Sequence, residues 1–72
     1  MPGVNPLSRR NLIRKLTKAG FKGPIPGGKH DCMIKDNIRI TIPNPHRGDI
    51  GVKLVKKIMK HANLREDEWD KL

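Results

Sequence analysis

Residues 30–42, HDCMIKDNIRITI, restrict the fold of this chain more than any other segment. Two short runs rich in β-branched and apolar residues flank Asp36–Asn37, a pair suited to a tight turn, and the pattern predicts a β-hairpin. A two-residue loop sets Lys35 opposite Ile38, Met33 opposite Ile40 and Asp31 opposite Ile42. Opposed residues of an antiparallel pair share a face, and successive residues alternate between faces. Ile38, Ile40, Ile42 and Met33 then form the buried face. Cys32, Ile34, Arg39 and Thr41 form the other, and His30 falls with them. A three-residue loop would shift the pairing by one position and turn every side chain over, His30 included.

Two amphipathic segments flank the hairpin. In the first, Leu12, Leu16 and Ala19 recur at helical spacing with Ile13 beside them. Ser8 is placed to cap the first turn, with Leu7 and Leu12 as a hydrophobic staple. Gly20 is a natural left-handed stop, after which Phe21 folds back on Leu16. Between this helix and the hairpin, FKGPIPGG predicts a short strand confined to a sheet edge, or a loop, because Pro24 and Pro26 cannot donate ladder bonds. In the second helix, Leu54, Val55, Ile58, Met59 and Ala62 line one face. Asp49 is its expected N-cap and Asn63 its left-handed stop. REDEWDKL reads as a short acidic last turn, with Leu64 and Trp69 packing back on the body.

Both apolar stripes are buried if the helices lie on one face of a single antiparallel sheet. The expected fold is therefore α+β, a two-layer α-β-β-β-α domain with a three-stranded sheet. Its 72 residues allow one domain, with residues 1–6 as a flexible lead and 65–72 as the acidic tail. A chain of this size buries only about 60% of its unfolded surface, which leaves no room for a deep pocket or a large cofactor. Any chemistry must take place on the surface. A single cysteine, Cys32, excludes an internal disulfide and fits a reducing compartment. No apolar run approaches a membrane span of about 20 residues. The opening residues lack the apolar stretch of a secretory signal, so a cytoplasmic location is expected.

The net charge is +9, and it is unevenly spread. Residues 1–65 carry 15 of the 16 bases and three of the seven acids, Asp31, Asp36 and Asp49. Residues 66–72 carry the other four acids against Lys71 alone. A basic body of this kind points to a polyanionic partner, most simply nucleic acid. The row Lys53, Lys56, Lys57 and Lys60 places several cations on one side of the second helix. Each lysine singly is no more than a solvated side chain. Together with Lys29, Lys35 and Arg39 they form a phosphate-contact surface. Only Phe21 and Trp69 are aromatic, and both are expected in the core, so stacking of successive bases on aromatic rings is not expected.

Several segments in fixed order resemble the HicA-type toxins, small proteins of bacterial toxin–antitoxin pairs with a fold like the double-stranded-RNA-binding domain. LIRKLTKAGF is similar to the family's opening helix and its Gly-aromatic stop. GKH, at Gly28, Lys29 and His30, is similar to its Gly-x-His signature at the start of the second strand. ITIPNP, DIGVKLVKKIMKHANL and REDEW are similar to its third strand, second helix and acidic-aromatic tail. After the signature this chain has Asp31, Cys32 and Met33, where the family often has an aromatic residue or a second histidine. The resemblance implies a metal-independent endoribonuclease that cuts mRNA, an mRNA interferase, neutralised by a HicB-like antitoxin. It places the catalytic histidine at His30.

The residues themselves leave two roles open for His30. A histidine at a strand end often makes one structural hydrogen bond. An imidazole is equally the side chain able to give or take a proton near neutral pH. Cleaving RNA without a metal needs a base for the 2′-OH, an acid for the 5′-oxygen and positive charge around the phosphate. His30 supplies the first or second. Gly28, Lys29, Lys35, Arg39, Lys53 and Lys57 are the expected RNA contacts. His46 reads as a solvated loop residue, and His61 as a cation favourable to the end of its helix. His30, Cys32, His46 and His61 contain no close ligand pair, so neither a metal nor another cofactor is expected. The rival reading is a non-catalytic module of the same fold that binds structured RNA by shape. A weaker third is a basic protein whose only partner is an acidic protein.

Overall fold

The computed structural model describes residues 4–44 and 48–72. The elements run α1 (Arg9–Lys18), β1 (Lys22–Ile25), β2 (Cys32–Lys35), β3 (Ile38–Thr41), α2 (Val52–His61) and α3 (Glu66–Asp70). The three strands form one antiparallel sheet in the order β1-β2-β3. This is the expected α+β architecture, with the acidic tail forming the additional short helix α3.

The hairpin has the two-residue loop. Lys35 pairs with Ile38, Ile34 with Arg39, Met33 with Ile40 and Cys32 with Thr41. Asp36 takes φ 52, a left-handed value that Asp tolerates better than most residues. Beyond the ladder, the Ile42 amide donates to the Asp31 carbonyl at 2.8 Å, which carries the register one step further. Met33, Ile40 and Ile42 are consequently buried, while Ile34, Arg39 and Thr41 are exposed. Cys32 is the exception on the outer face. It is buried because the chain at Gly27 crosses over its sulfur. Strand β1 lies at the sheet edge, as Pro24 within it requires, and its register with β2 shifts between Lys22 and Ile25.

Both helix stops are local and strong. In α1 the Gly20 amide donates to Thr17 and the Phe21 amide to Leu16, each at 3.0 Å, with Gly20 at φ 105. In α2 the Asn63 amide donates to Lys60 and the Leu64 amide to Met59, with Asn63 at φ 62. These are paired Schellman bonds, and they satisfy carbonyls that a helix end leaves open. At the start of α1 the Ser8 hydroxyl accepts from the Asn11 amide at 3.1 Å. The start of α2 differs from expectation. Its N-cap is Gly51, without a side-chain cap bond, rather than Asp49. Ile50 exchanges two backbone bonds with Leu7, at 2.6 and 3.1 Å. This long-range bridge holds Ile50 extended and delays the helix by two residues.

One core joins Leu12 and Leu16 of α1, Met33, Ile40 and Ile42 of the sheet, Val55, Ile58 and Met59 of α2, and Trp69 of α3. Both long helices therefore cover the same sheet face. Leu54 departs from the expected stripe and is 41% exposed. The buried line of α2 runs Val55, Ile58, Met59, Ala62, and Leu54 stands one step of about 100° off it.

Two lysines of the basic surplus are structural. Lys35 Nζ donates to the Ala19 carbonyl at 2.9 Å and lies 5.9 Å from the centre of the Phe21 ring, so it closes the C-terminal end of α1. Lys15 Nζ donates to the Trp69 carbonyl at 2.8 Å and lies 5.2 Å from the Trp69 ring centre, which ties α3 to α1. Cations are favoured at helix C-termini, where unpaired carbonyls concentrate negative charge. Replacing Leu16, fully buried, with Ala is expected to cost about 2–5 kcal/mol. Lys35→Met is expected to cost about 1–3 kcal/mol through the lost charged hydrogen bond. Urea denaturation measures both, and unchanged midpoints would contradict the packing described here.

Candidate nucleic-acid interface

The turn that carries His30 is built by glycine. Gly28 adopts φ 79, a left-handed conformation, and has open space where a side chain would stand. Gly27 is needed for a different reason. A Cβ placed on it would lie 3.0 Å from the His30 carbonyl oxygen, 3.2 Å from Arg39 Nη2 and 3.6 Å from Cys32 Sγ. The chain crosses the outer sheet face there, with the Arg39 guanidinium against the same turn. Lys29 and His30 follow, both exposed. Among the described residues, the His30 side chain makes no hydrogen bond.

Asp31, the acid beside the histidine, is turned to another use. Its carboxylate accepts from Arg9 Nη2 at 2.6 Å, with both side chains about one-third exposed. The pair ties the turn before β2 to the first residue of α1 and neutralises the negative charge next to His30. The Nε of Arg9 is buried and unpartnered among the described residues. At the other end of the chain, the Arg65 guanidinium donates to Asp67 at 3.1 Å and holds that exposed carboxyl below its usual range, chiefly through this hydrogen bond.

The residues expected to contact RNA separate into three groups. Gly28, Lys29 and His30 lie together on the turn, and Arg39 reaches it from β3. Lys57 shares with Arg39 a hollow of about 150 Å³ between β3 and α2, whose lining includes Thr41, Leu54, Ile58 and His61. Lys53 stands on the adjoining lysine face of α2 with Lys56 and Lys60. Lys35 does not join them. It lies on the helix-facing side at the far end of β2 and is engaged by the α1 terminus. His46 lies outside the described residues.

Sequence reasoning missed Leu54 and His61 as surface features. The spacing of Leu54 is compatible with the core stripe, and the sequence reads His61 only as a helix-terminal cation, whereas the structure exposes both. One signal was available: five apolar residues, Leu54, Val55, Ile58, Met59 and Ala62, exceed what a single two-and-a-half-turn contact line needs.

Among the described residues, no three of the His, Cys, Asp and Glu side chains come together as a possible metal site. None of the described helices is long and apolar enough to cross a membrane.

Gly27→Ala is expected to displace the Arg39 guanidinium and the His30 carbonyl, since the added methyl group meets both. The shifts in an amide correlation spectrum would concentrate at His30, Cys32 and Arg39. Gly28→Ala meets no atom and is expected to cost about 1–2 kcal/mol from its positive φ alone. The reverse order of spectral disturbance would contradict this turn geometry.

The family model described as HicA toxin of bacterial toxin-antitoxin matches residues 9–64. No curated protein and no solved structure matches the chain.

Proposed function

The chain belongs to the HicA toxins of bacterial toxin–antitoxin pairs, and from that premise we propose that it is an mRNA-cleaving endoribonuclease with His30 as its proton-transfer residue. The observation that carries this reading is the setting of His30. It is exposed on a glycine turn, with the Arg39 guanidinium against that turn and the neighbouring carboxylate of Asp31 taken up by Arg9.

The reaction needs no metal. His30 as a base removes the proton from a ribose 2′-OH, and the freed oxygen attacks the adjacent phosphorus. The P–O5′ bond breaks, and the 5′-oxygen leaves with a proton returned by the imidazolium or by water. The products are a 2′,3′-cyclic phosphate and a 5′-hydroxyl. In this reading Lys29 and Arg39 offset the charge that builds on the phosphoryl oxygens. The lysine face of α2 extends the grip along the RNA backbone. Lys35 is omitted from this surface because the Ala19 carbonyl already holds it.

Membership of the family implies an antitoxin. We place its contact over the outer sheet face and the His30 turn, where a HicB-like partner would exclude RNA.

His30→Ala is expected to lower the rate of RNA cleavage by about 10²–10⁴-fold. Its stability should change by less than about 0.5 kcal/mol, because the side chain is exposed. The assay is cleavage of a long transcript by the purified protein in EDTA, with growth arrest on expression as the cellular counterpart. Equal cleavage by parent and variant would remove His30 from the mechanism. A parent that binds RNA steeply with falling salt but leaves it intact would establish the non-catalytic binder instead.

A further inference from the structure

The hollow between β3 and α2 is not explained by packing. Its floor is apolar, with Leu54 left 41% exposed on a helix side otherwise occupied by lysines. Its lining also includes Arg39 and Thr41 at the open edge of β3, and Lys57 and His61 from α2. Lys57 and His61 are four residues apart and so stand one above the other on one side of the helix. Among the described residues, no acid lines the hollow. The volume, about 150 Å³, is of the order that admits one six-membered ring.

Arg39 links this hollow to the turn described above. It lines the hollow, and its Nη2 lies against the Gly27–His30 turn. Arg39 is thus the residue common to the hollow and the turn. A ring-sized apolar floor framed by cations suits a ligand with one flat apolar face and one anionic group. An unpaired nucleotide has both.

We propose that this hollow is a subsite for a single unpaired nucleotide flanking the cleaved bond. Its base lies on Leu54 and Ile58, and its phosphate is held by Arg39, Lys57 and His61. The inference rests on the nuclease reading for its place along the strand, but the binding site itself does not depend on cleavage. The competing occupant is a protein segment that adds to the open edge of β3 and presents acidic side chains to the same cations.

The test is an amide and methyl spectrum of the full 72-residue chain, titrated separately with uridine 3′-monophosphate, inorganic phosphate and a hexaglutamate peptide. The nucleotide is expected to shift Thr41, Leu54, Ile58 and His61 saturably, in the millimolar range proper to so small a ligand. Phosphate should leave the Leu54 methyl groups unmoved. Leu54→Asp, at an exposed position, should keep the melting temperature and weaken the nucleotide response at least tenfold. Shifts spread evenly over the lysines of α2 would overturn the proposal. So would equal responses to phosphate and nucleotide, or a response to the peptide alone, which would give the hollow to a protein partner.

Cleavage kinetics separate this inference from the nuclease reading. In Leu54→Asp, KM should rise several-fold more than kcat falls, whereas His30→Ala removes turnover. His30-dependent cleavage with KM unaltered in Leu54→Asp would sink the subsite and leave the nuclease. Nucleotide binding in the hollow by a protein that cuts no RNA would sink the nuclease and leave the subsite.

Discussion

The register of the β2–β3 hairpin is the constraint on which the rest of the molecule depends. Two residues at the turn, with Asp36 in a left-handed conformation, put Met33 opposite Ile40. Side chains alternate along a strand, so this one choice sends Met33, Ile40 and Ile42 to the helices and leaves Ile34, Arg39 and Thr41 outside. The outer face is also where the glycine turn crosses, over Cys32 and against Arg39. A register one residue different would bury a guanidinium and expose three large apolar side chains. The core and the candidate interface are therefore two consequences of the same hydrogen-bond ladder.

The charge surplus is not one uniform surface. Lys15 and Lys35 are spent on helix ends, each with its Nζ on a backbone carbonyl and near an aromatic ring. Arg9 is paired with Asp31 across the junction of α1 and β2. In a domain this small, whose total stability is roughly 4–11 kcal/mol, such tethers form a sizeable share of what holds the short elements together. The remaining cations around the His30 turn, the β3–α2 hollow and the lysine face of α2 supply the field available to a polyanion. The pairing of Asp31 with Arg9 also means that the acid next to His30 already has a cationic partner.

The proposed reaction asks little of a small domain. In the proposed reaction the substrate would contribute its own nucleophile, the 2′-hydroxyl, and the protein would contribute proton transfer and positive charge. Two glycines, one histidine and one arginine stand together at the turn that the proposal assigns to this task. A partner able to cover the same face would silence it without reaching the core.

Much of this was legible in the residues alone, wherever the determining interaction is local. Ser8 as a cap, Gly20 and Asn63 as stops, the two-residue hairpin loop and the outward setting of His30 all depend on neighbours within about six positions. Four features were not legible, and three of them depend on a partner distant in sequence. The Leu7–Ile50 bridge moved the start of α2 from Asp49 to Gly51. The crossing of the Gly27 turn buried Cys32 on the outer face. The end of α1 captured Lys35. The packing of α2 on the sheet left Leu54 in a hollow shared with Arg39 rather than in the core. Sequence by itself determined which elements form and which strand face is apolar, because turn chemistry and periodicity act over a few bonds. Only the tertiary structure decided which cations are tethers, which are free for a ligand, and where an apolar side chain stays uncovered, because those outcomes follow from the way separate elements meet.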